Sequence, residues 1–459
     1  MKKSLIVITF ILAVVLVAAA LVGCTESYKQ SAVPTEKGAV SDNGGMAVVY
    51  GKYLYFINGY AGESADNTFG SVVKGAIARV ELENGKPKGN AQVIVSKNVY
   101  GTDTTYGGLY IADDYIYFAS TNTDLDSTGS AKTASGVLMR AKVDGSSVER
   151  IATFDDHSFV FTVVGKKLTY IRNNNVYVID LTASKLSATT VETGILTGYL
   201  LTEDYLYYTQ YNDGHSDNYV IKAYPLAGGK AKVILSNANL NADTEYTFSL
   251  LSAIDEGNNK VKLFYTKTDS GLNTPEVGVY AYEYVKGTFA FNKANEVRFT
   301  HNATSATNLA YTKFYKAGTY YLGLASTKLD IFNADGTRAT GDEGLESLNI
   351  GSTVSVFEVE ETENAVYLWY IDSSVLKRIQ ILSVNNGVYA IVEKSAKKMF
   401  TGSYNTTYVS IDRIGDVLYY LNSSISDNAY YYVLDDAAES TDAGKILGII
   451  TETDRIAAF

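Results

Sequence analysis

Short apolar runs rich in tyrosine recur along the chain after Met46, separated by clusters of Asn, Asp, Gly and Ser. Eight such runs occur, at 53–56, 115–118, 167–170, 205–208, 262–265, 319–322, 367–370 and 417–420. Their mean spacing is about 52 residues, which suits one four-stranded antiparallel unit better than one solenoid turn. The pattern therefore predicts an all-β chain built from repeated units.

The second repeat shows how each unit is composed. An apolar segment at 108–112 precedes a turn at 113–114, and the aromatic run follows it. A further apolar segment at 137–141 then leads through the turn Asp144-Gly145 to a last segment at 148–151. Aspartate and glycine are typical of tight turns between antiparallel strands, so the repeat predicts four strands in sequence.

A sheet of this kind has two apolar faces and cannot bury either of them alone. Radial stacking between two copies of itself hides both faces, which favours a β-propeller. The spacing predicts eight blades in a single domain over residues 46–459. Seven blades is the alternative, because the third and fourth runs are only about 38 residues apart and the third repeat is the shortest.

The N-terminus carries the strongest targeting signal. Lys2 and Lys3 precede an apolar stretch at 5–22, which ends just before Cys24, the single cysteine of the chain. This layout predicts a lipoprotein signal peptide at 1–23, acylation of Cys24 and anchoring on the extracytoplasmic face of a bacterial cell membrane. An ordinary secretory signal or an uncleaved anchor remains an alternative. Residues 24–45 hold few large apolar side chains, which predicts a flexible tether.

The net charge of the chain argues against some classes of binding partner. The whole chain has a formal charge of −11, and loss of the two lysines in the signal peptide leaves −13. An acidic protein is repelled by nucleic acid and by anionic lipid, so the predicted contact with the bilayer is through the acyl chains.

The repeat also carries a family resemblance in its residues 114–120 (DYIYFAS), 139–146 (MRAKVDGS), 330–336 (DIFNADG) and 367–372 (YLWYID). These segments resemble the YWTD propellers of lipoprotein receptors, and more closely the tyrosine-rich propeller lipoproteins of Gram-positive bacteria. The resemblance implies a propeller fold and assigns no ligand residues. The chain differs from the YWTD family in having eight aromatic runs where that family has six blades.

The candidate ligand residues follow from position. The first strand of a propeller blade faces the central channel, so the segments leading into those strands form one rim of the channel. There the sequence places the candidate binding residues Tyr106, His157, Tyr199, Tyr246 and Tyr404. They predict stacking and hydrogen bonding to an uncharged sugar or peptide, or contact with a protein partner. The alternative is that these rings pack between neighbouring blades.

Catalytic chemistry is sparse in the sequence. The three histidines lie far apart, and the HExxH, GxSxG and GxxxxGK[ST] motifs do not occur. No cofactor is predicted, although two acidic loops are weak calcium candidates through Asp124, Asp126, Asp213 and Asp217. These observations favour a binding module. A glycoside hydrolase or lyase with its site at the channel mouth and a structural scaffold of the cell envelope are the alternatives.

Overall fold

The structure is a computed structural model of the 459-residue chain. It describes residues 27–61, 67–99, 108–121, 136–155, 159–196, 198–212, 215–236, 246–269, 278–288, 291–299, 311–325, 327–339, 348–352, 354–373, 375–392, 397–398, 408–422, 429–433 and 445–447. The predicted signal peptide at 1–23 and Cys24 lie outside these residues.

The described residues form eight antiparallel sheets, numbered here in chain order. Two short strands, β1 (Ser27–Lys29) and β2 (Val40–Ser41), come first. Sheet 1 contains β3 (Ala47–Tyr50), β4 (Tyr53–Ile57), β5 (Ile77–Glu83) and β6 (Lys86–Val95). Sheet 2 contains β7 (Tyr110–Ala112), β8 (Tyr115–Thr121), β9 (Gly136–Lys142) and β10 (Ser147–Thr153). Sheet 3 contains β11 (Phe159–Val164), β12 (Lys167–Arg172), β13 (Asn175–Asp180) and β14 (Ala188–Thr193).

Sheet 4 contains β15 (Leu200–Leu201), β16 (Tyr205–Asn212), β17 (His215–Pro225) and β18 (Lys232–Ser236). Sheet 5 contains β19 (Tyr246–Gly257), β20 (Lys260–Asp269), β21 (Gly278–Val285) and, after a 3-10 turn at Lys293–Asn295, β22 (Glu296–Phe299). Sheet 6 contains β23 (Lys313–Ala317), β24 (Tyr320–Ala325), β25 (Lys328–Phe332) and β26 (Leu348–Asn349). Sheet 7 contains β27 (Val354–Glu361), β28 (Ala365–Asp372), β29 (Val375–Asn385), β30 (Val388–Ile391) and β31 (Lys397–Lys398), and sheet 8 contains β32 (Tyr408–Ile414), β33 (Val417–Asn422), β34 (Ala429–Val433) and β35 (Lys445–Ile446).

Every sheet has the same internal order, with four consecutive strands each paired to the next. The eight aromatic runs lie on the second strands, as the repeat predicted, except that Thr319 precedes β24 by one residue. The turns within the sheets use residues that tolerate a left-handed backbone: Asn173 and Asn174, which join β12 to β13, have φ of 48° and 60°. The all-β prediction from four-stranded antiparallel units is confirmed.

The sheets pack face to face on their neighbours. Shared apolar clusters join sheets 2 and 3, 3 and 4, 4 and 5, 5 and 6, and 6 and 7. One large cluster holds Leu54 of sheet 1, Phe118 of sheet 2 and Tyr419 of sheet 8. First strands of consecutive sheets also lie beside each other, as β19 does with β23 and β23 with β27. This is the radial arrangement of a β-propeller.

The segment from 27 to 45 differs from the predicted tether, because it belongs to the folded surface. Strand β1 pairs with the edge of sheet 2 through β10, and β2 pairs with the edge of sheet 1 through β3. Between them Val33 is buried, and its backbone N–H donates to the carbonyl of Asp144 at 2.8 Å. The Arg79 guanidinium donates to Thr35 Oγ1 at 2.6 Å and to the Pro34 carbonyl at 2.8 Å. Backbone pairing therefore fixes a segment whose composition offers few apolar side chains.

Across the residues that the structure describes, no helix has the length and apolarity needed to cross a membrane.

Candidate functional site

Two of the five predicted rim residues lie among the described residues, and three do not. Tyr106, His157 and Tyr404 lie outside the described residues. Tyr199 is half-buried beside the apolar cluster that joins sheets 3 and 4, and desolvation raises the pKa of its hydroxyl. Tyr246, at the start of β19, is only 1% exposed.

The Tyr246 ring belongs to a packed interface. It lies in the cluster that joins sheets 4 and 5, with its centroid 6.5 Å from that of Phe248. The ammonium of Lys267 lies 5.3 Å from its ring centroid and forms a buried ion pair with Glu296, with 3.2 Å between Nζ and Oε1. A ring enclosed in this way cannot stack on a ligand. The position of Tyr246 therefore fits the alternative, in which the ring packs between neighbouring blades.

The calcium candidates cannot be placed as a site. Asp124, Asp126 and Asp213 lie outside the described residues, and Asp217 lies on β17 with a side chain that is not among the described ones. Within the part of the chain that is described, no group of three or more His, Cys, Asp or Glu side chains has the arrangement of a metal site.

A cavity between the first strands of four sheets is the better candidate site. It has a volume of about 350 Å³ and is bounded by β15, β19, β23 and β27 or residues next to them. Its walls combine apolar side chains, among them Leu200, Leu251 and Val359, with Ser252 and Tyr315. Such a mixture of apolar walls and few polar groups, at this volume, is typical of small-ligand pockets. We call it the channel cavity, because first strands line the centre of a propeller.

Alternation along β23 distributes its side chains between two neighbours. Phe314 is buried in the cluster shared with sheet 5, and the Lys316 ammonium lies 2.6 Å from Glu256 Oε2 on β19. Tyr315 packs on the opposite side, where its hydroxyl donates to the Val356 carbonyl of β27 at 3.4 Å. Lys313 lies two residues before Tyr315 and shares its face, with Nζ 5.2 Å from the Tyr315 ring centroid.

The charged side chains that line the cavity differ in whether they have an oppositely charged partner. Lys316 is paired with Glu256, and Glu358 accepts a hydrogen bond from Arg413 at 2.7 Å. Lys313 has no acidic partner within 4.0 Å among the described residues. Its side chain is accessible to solvent. The protein atoms around the ammonium lower its pKa by partial desolvation, although the residue as a whole is exposed.

An ionic network borders the cavity between sheets 7 and 8. Arg413 on β32 donates to Glu358 and to Glu360 on β27, each at 2.7 Å. Glu360 also accepts from the Trp369 indole at 2.7 Å and pairs with Arg378 at 3.2 Å. Burial is the largest effect on Glu358 and raises the pKa of its carboxyl, against the lowering effect of Arg413.

Sequence reasoning missed Lys313 and Glu358, because it searched the segments leading into the first strands and not the strands themselves. One signal was available: the first strands β23 (KFYKA) and β27 (VSVFEVEE) contain lysines and glutamates among their apolar residues.

Comparisons with known proteins identify fold-level neighbours only. No protein-family model matches the chain, and no curated protein does either. Among solved structures, the chain is similar to the β-propeller domain of the Trilobed protease from Pyrococcus furiosus, with a TM-score of 0.36 and 12% identity over 73% of this chain and 96% of that one. It is also similar to a prolyl endopeptidase (TM-score 0.38, 11% identity, 72% of this chain and 48% of that one). The N-terminal domain of Nup159 has a TM-score of 0.33 and 12% identity over 87% of this chain and 96% of that one.

Proposed function

We propose that this protein is a binding module, anchored through acylated Cys24 on the extracytoplasmic face of a bacterial membrane, that holds its ligand in the channel cavity. The cavity carries the proposal, because it is a ligand-sized space at the centre of the sheets with both apolar and polar walls. The anchor is supported by the apolar stretch at 5–22 and the position of Cys24 after it.

We further propose that the eight sheets close into one eight-bladed ring. Contacts between the last sheet and the first support this: Asp412 on β32 accepts a hydrogen bond from the backbone N–H of Ala47 on β3 at 3.1 Å. Gly45 lies so close to the same carboxylate that a Cβ would collide with it. A ring leaves no terminal blade face exposed, which is the physical advantage of closure.

Recognition is favoured over glycoside hydrolysis by the carboxylates of the cavity. Hydrolysis of that kind uses a pair of carboxyl groups across the scissile bond. Among the described residues that line the cavity, Glu358 is the one acidic side chain, and Arg413 binds it. The described lining residues therefore supply one carboxyl group and not the pair that this reaction uses, which favours binding without covalent chemistry.

A cavity-filling variant tests the binding role. The chain is screened against cell-wall glycans, peptides and small amphipathic compounds, and the hits are repeated with Leu251→Trp, which fills the cavity. Val388→Trp is the matched control, because Val388 is 68% exposed on β30. We expect Leu251→Trp to abolish binding while the control retains it. Equal binding by both variants, with the fold intact by circular dichroism, would place the site elsewhere.

Metabolic labelling with a fatty-acid analogue tests the anchor. We expect label on the wild-type chain and none on Cys24→Ala, because Cys24 is the single cysteine. Label that persists in the variant would refute acylation at this position and leave the binding role unaffected.

A further inference from the structure

We propose that the ligand of the channel cavity carries an anionic group on an apolar body, and that Lys313 binds the anionic group. This inference rests on the proposed binding function and names the chemical class of its ligand. It departs from the uncharged ligand expected from the sequence, which was based on the rim tyrosines.

The position of Lys313 is the first observation. Residues 313–316 all line the cavity, but Phe314 and Lys316 are committed to the interface with sheet 5. Lys313 projects from the same face of β23 as Tyr315, whose ring lies beneath the ammonium and whose hydroxyl is held by β27. The ammonium therefore lies over a fixed aromatic surface beside the cavity.

The charge balance is the second observation. Of the three charged side chains that line the cavity, Lys316 and Glu358 each have an oppositely charged partner at 2.7 Å or less. Lys313 has none among the described residues, in a chain whose formal charge is −11. The Lys313 side chain is exposed, so its ammonium is accessible to a ligand, and a bound anion would supply the partner that it lacks. Desolvation lowers the pKa of the Lys313 ammonium, and an anionic ligand beside it would raise that pKa again.

The rest of the wall defines the remainder of the ligand. The remaining wall of the cavity includes apolar residues, namely Leu200 and Leu201 from β15, Leu251 from β19 and Val359 from β27. A fully hydrophilic anion would leave that surface in contact with water, whereas an apolar body buries it. The combination fits an amphipathic anion, in which one charged group is attached to a hydrocarbon or aromatic skeleton.

Two dyes that differ mainly in charge test the inference. The probes are 8-anilino-1-naphthalenesulfonate, which is anionic, and N-phenyl-1-naphthylamine, its neutral counterpart. The protein is the chain from residue 24 with Cys24→Ser, which keeps every residue that the structure describes. We expect Lys313→Met to weaken the anionic dye about tenfold and to leave the neutral dye unchanged, because a charge-assisted contact is lost without a change in the apolar wall.

Matched variants control the measurement. Lys185→Met removes an exposed lysine from the turn between β13 and β14 and should change neither dye. Lys313→Arg keeps the charge and should retain affinity for the anionic dye. Unchanged binding of the anionic dye by Lys313→Met, or equal weakening of both dyes, would overturn the inference. Failure of the proposed function has a different signature, since both dyes would then bind Leu251→Trp as well as the wild type.

Discussion

Two interfaces between neighbouring sheets contain side-chain clusters of opposite chemistry, although the first also has the Lys316–Glu256 ion pair at its border with the cavity. Between sheets 5 and 6, Phe264 stacks on Phe314 with 4.4 Å between ring centroids, and Phe299 meets the same pair edge-on. Between sheets 7 and 8, Arg413 crosses to two glutamates. The same four-stranded unit therefore tolerates an aromatic interface and an ionic one.

The difference lies in what each interface requires. The three phenylalanines need only complementary shape, because their side chains contain no group that must be paired. The ionic network needs each charge to find a partner, and it is incompletely satisfied: Glu358 Oε2 and Arg413 Nε are buried with no hydrogen-bond partner among the described residues. Burial of such groups costs more than a matched apolar contact, so the ionic interface should respond more strongly to single substitutions.

Removal of Arg413 should have the largest effect. Arg413→Met leaves Glu358 and Glu360 as a close acidic pair, and we expect the free energy of unfolding to fall by about 3–5 kcal/mol. Chemical denaturation followed by the fluorescence of Trp369, the single tryptophan, measures the change at this interface. Adding Glu358→Gln should recover part of the loss. A decrease below about 1 kcal/mol would mean that the network contributes little.

The aromatic interface should lose less. Phe264→Leu keeps an apolar side chain but removes the stack on Phe314, and we expect a loss of about 1–2 kcal/mol. The loss should be the same at low and high salt, whereas that of Arg413→Met should decrease slightly at high salt, because its partly buried charges are screened only in part. Parallel salt dependence in the two variants would contradict the proposed difference between the interfaces.

The contact between sheets 8 and 1 should respond to pH. Burial raises the pKa of Asp412 to about 6, above its value of 3.8 in an unfolded chain. The folded state then binds the proton more tightly, so this group adds stability below about pH 4 and loses it as the pH rises through 6. We expect the wild type to gain about 1 kcal/mol over Asp412→Asn between pH 7 and pH 5, measured by urea denaturation. No difference in the pH profiles would remove Asp412 as the cause.

An exposed ion pair should matter least. Lys260 lies 2.8 Å from Glu283 at the surface of sheet 5, and both side chains are about a third or more exposed. We expect Lys260→Met to change the free energy of unfolding by less than about 0.5 kcal/mol. A change as large as that of Arg413→Met would show that burial does not set the strength of the ionic contacts.

The sequence predicted the fold well because the repeated signal is strong. Each aromatic run supplies a strand that is covered on both faces, and the turns around it use Asn, Asp and Gly. Even the short third repeat forms a complete sheet from Phe159 to Thr193, so its low spacing did not signal a missing strand.

The site was less predictable. Which face of a first strand meets the channel depends on the neighbouring sheets, and tyrosines are so common here that position alone did not identify an accessible one. Tyr246 illustrates this, since it lies at the predicted place and is buried. The pairing of β1 and β2 with sheet edges was also not predicted, because backbone pairing does not depend on the amino-acid composition of the segment.

Strand β1 sets the distance between the protein and its proposed anchor. Two residues, Thr25 and Glu26, separate Cys24 from Ser27, and the three extended steps from Cys24 to Ser27 span about 11 Å at most. Because β1 is paired to the outer edge of sheet 2, an acyl chain on Cys24 would keep that edge at the bilayer surface. The short connection would hold the protein close to the membrane surface. Its ligand would then have to be present within about one protein diameter of the lipid headgroups.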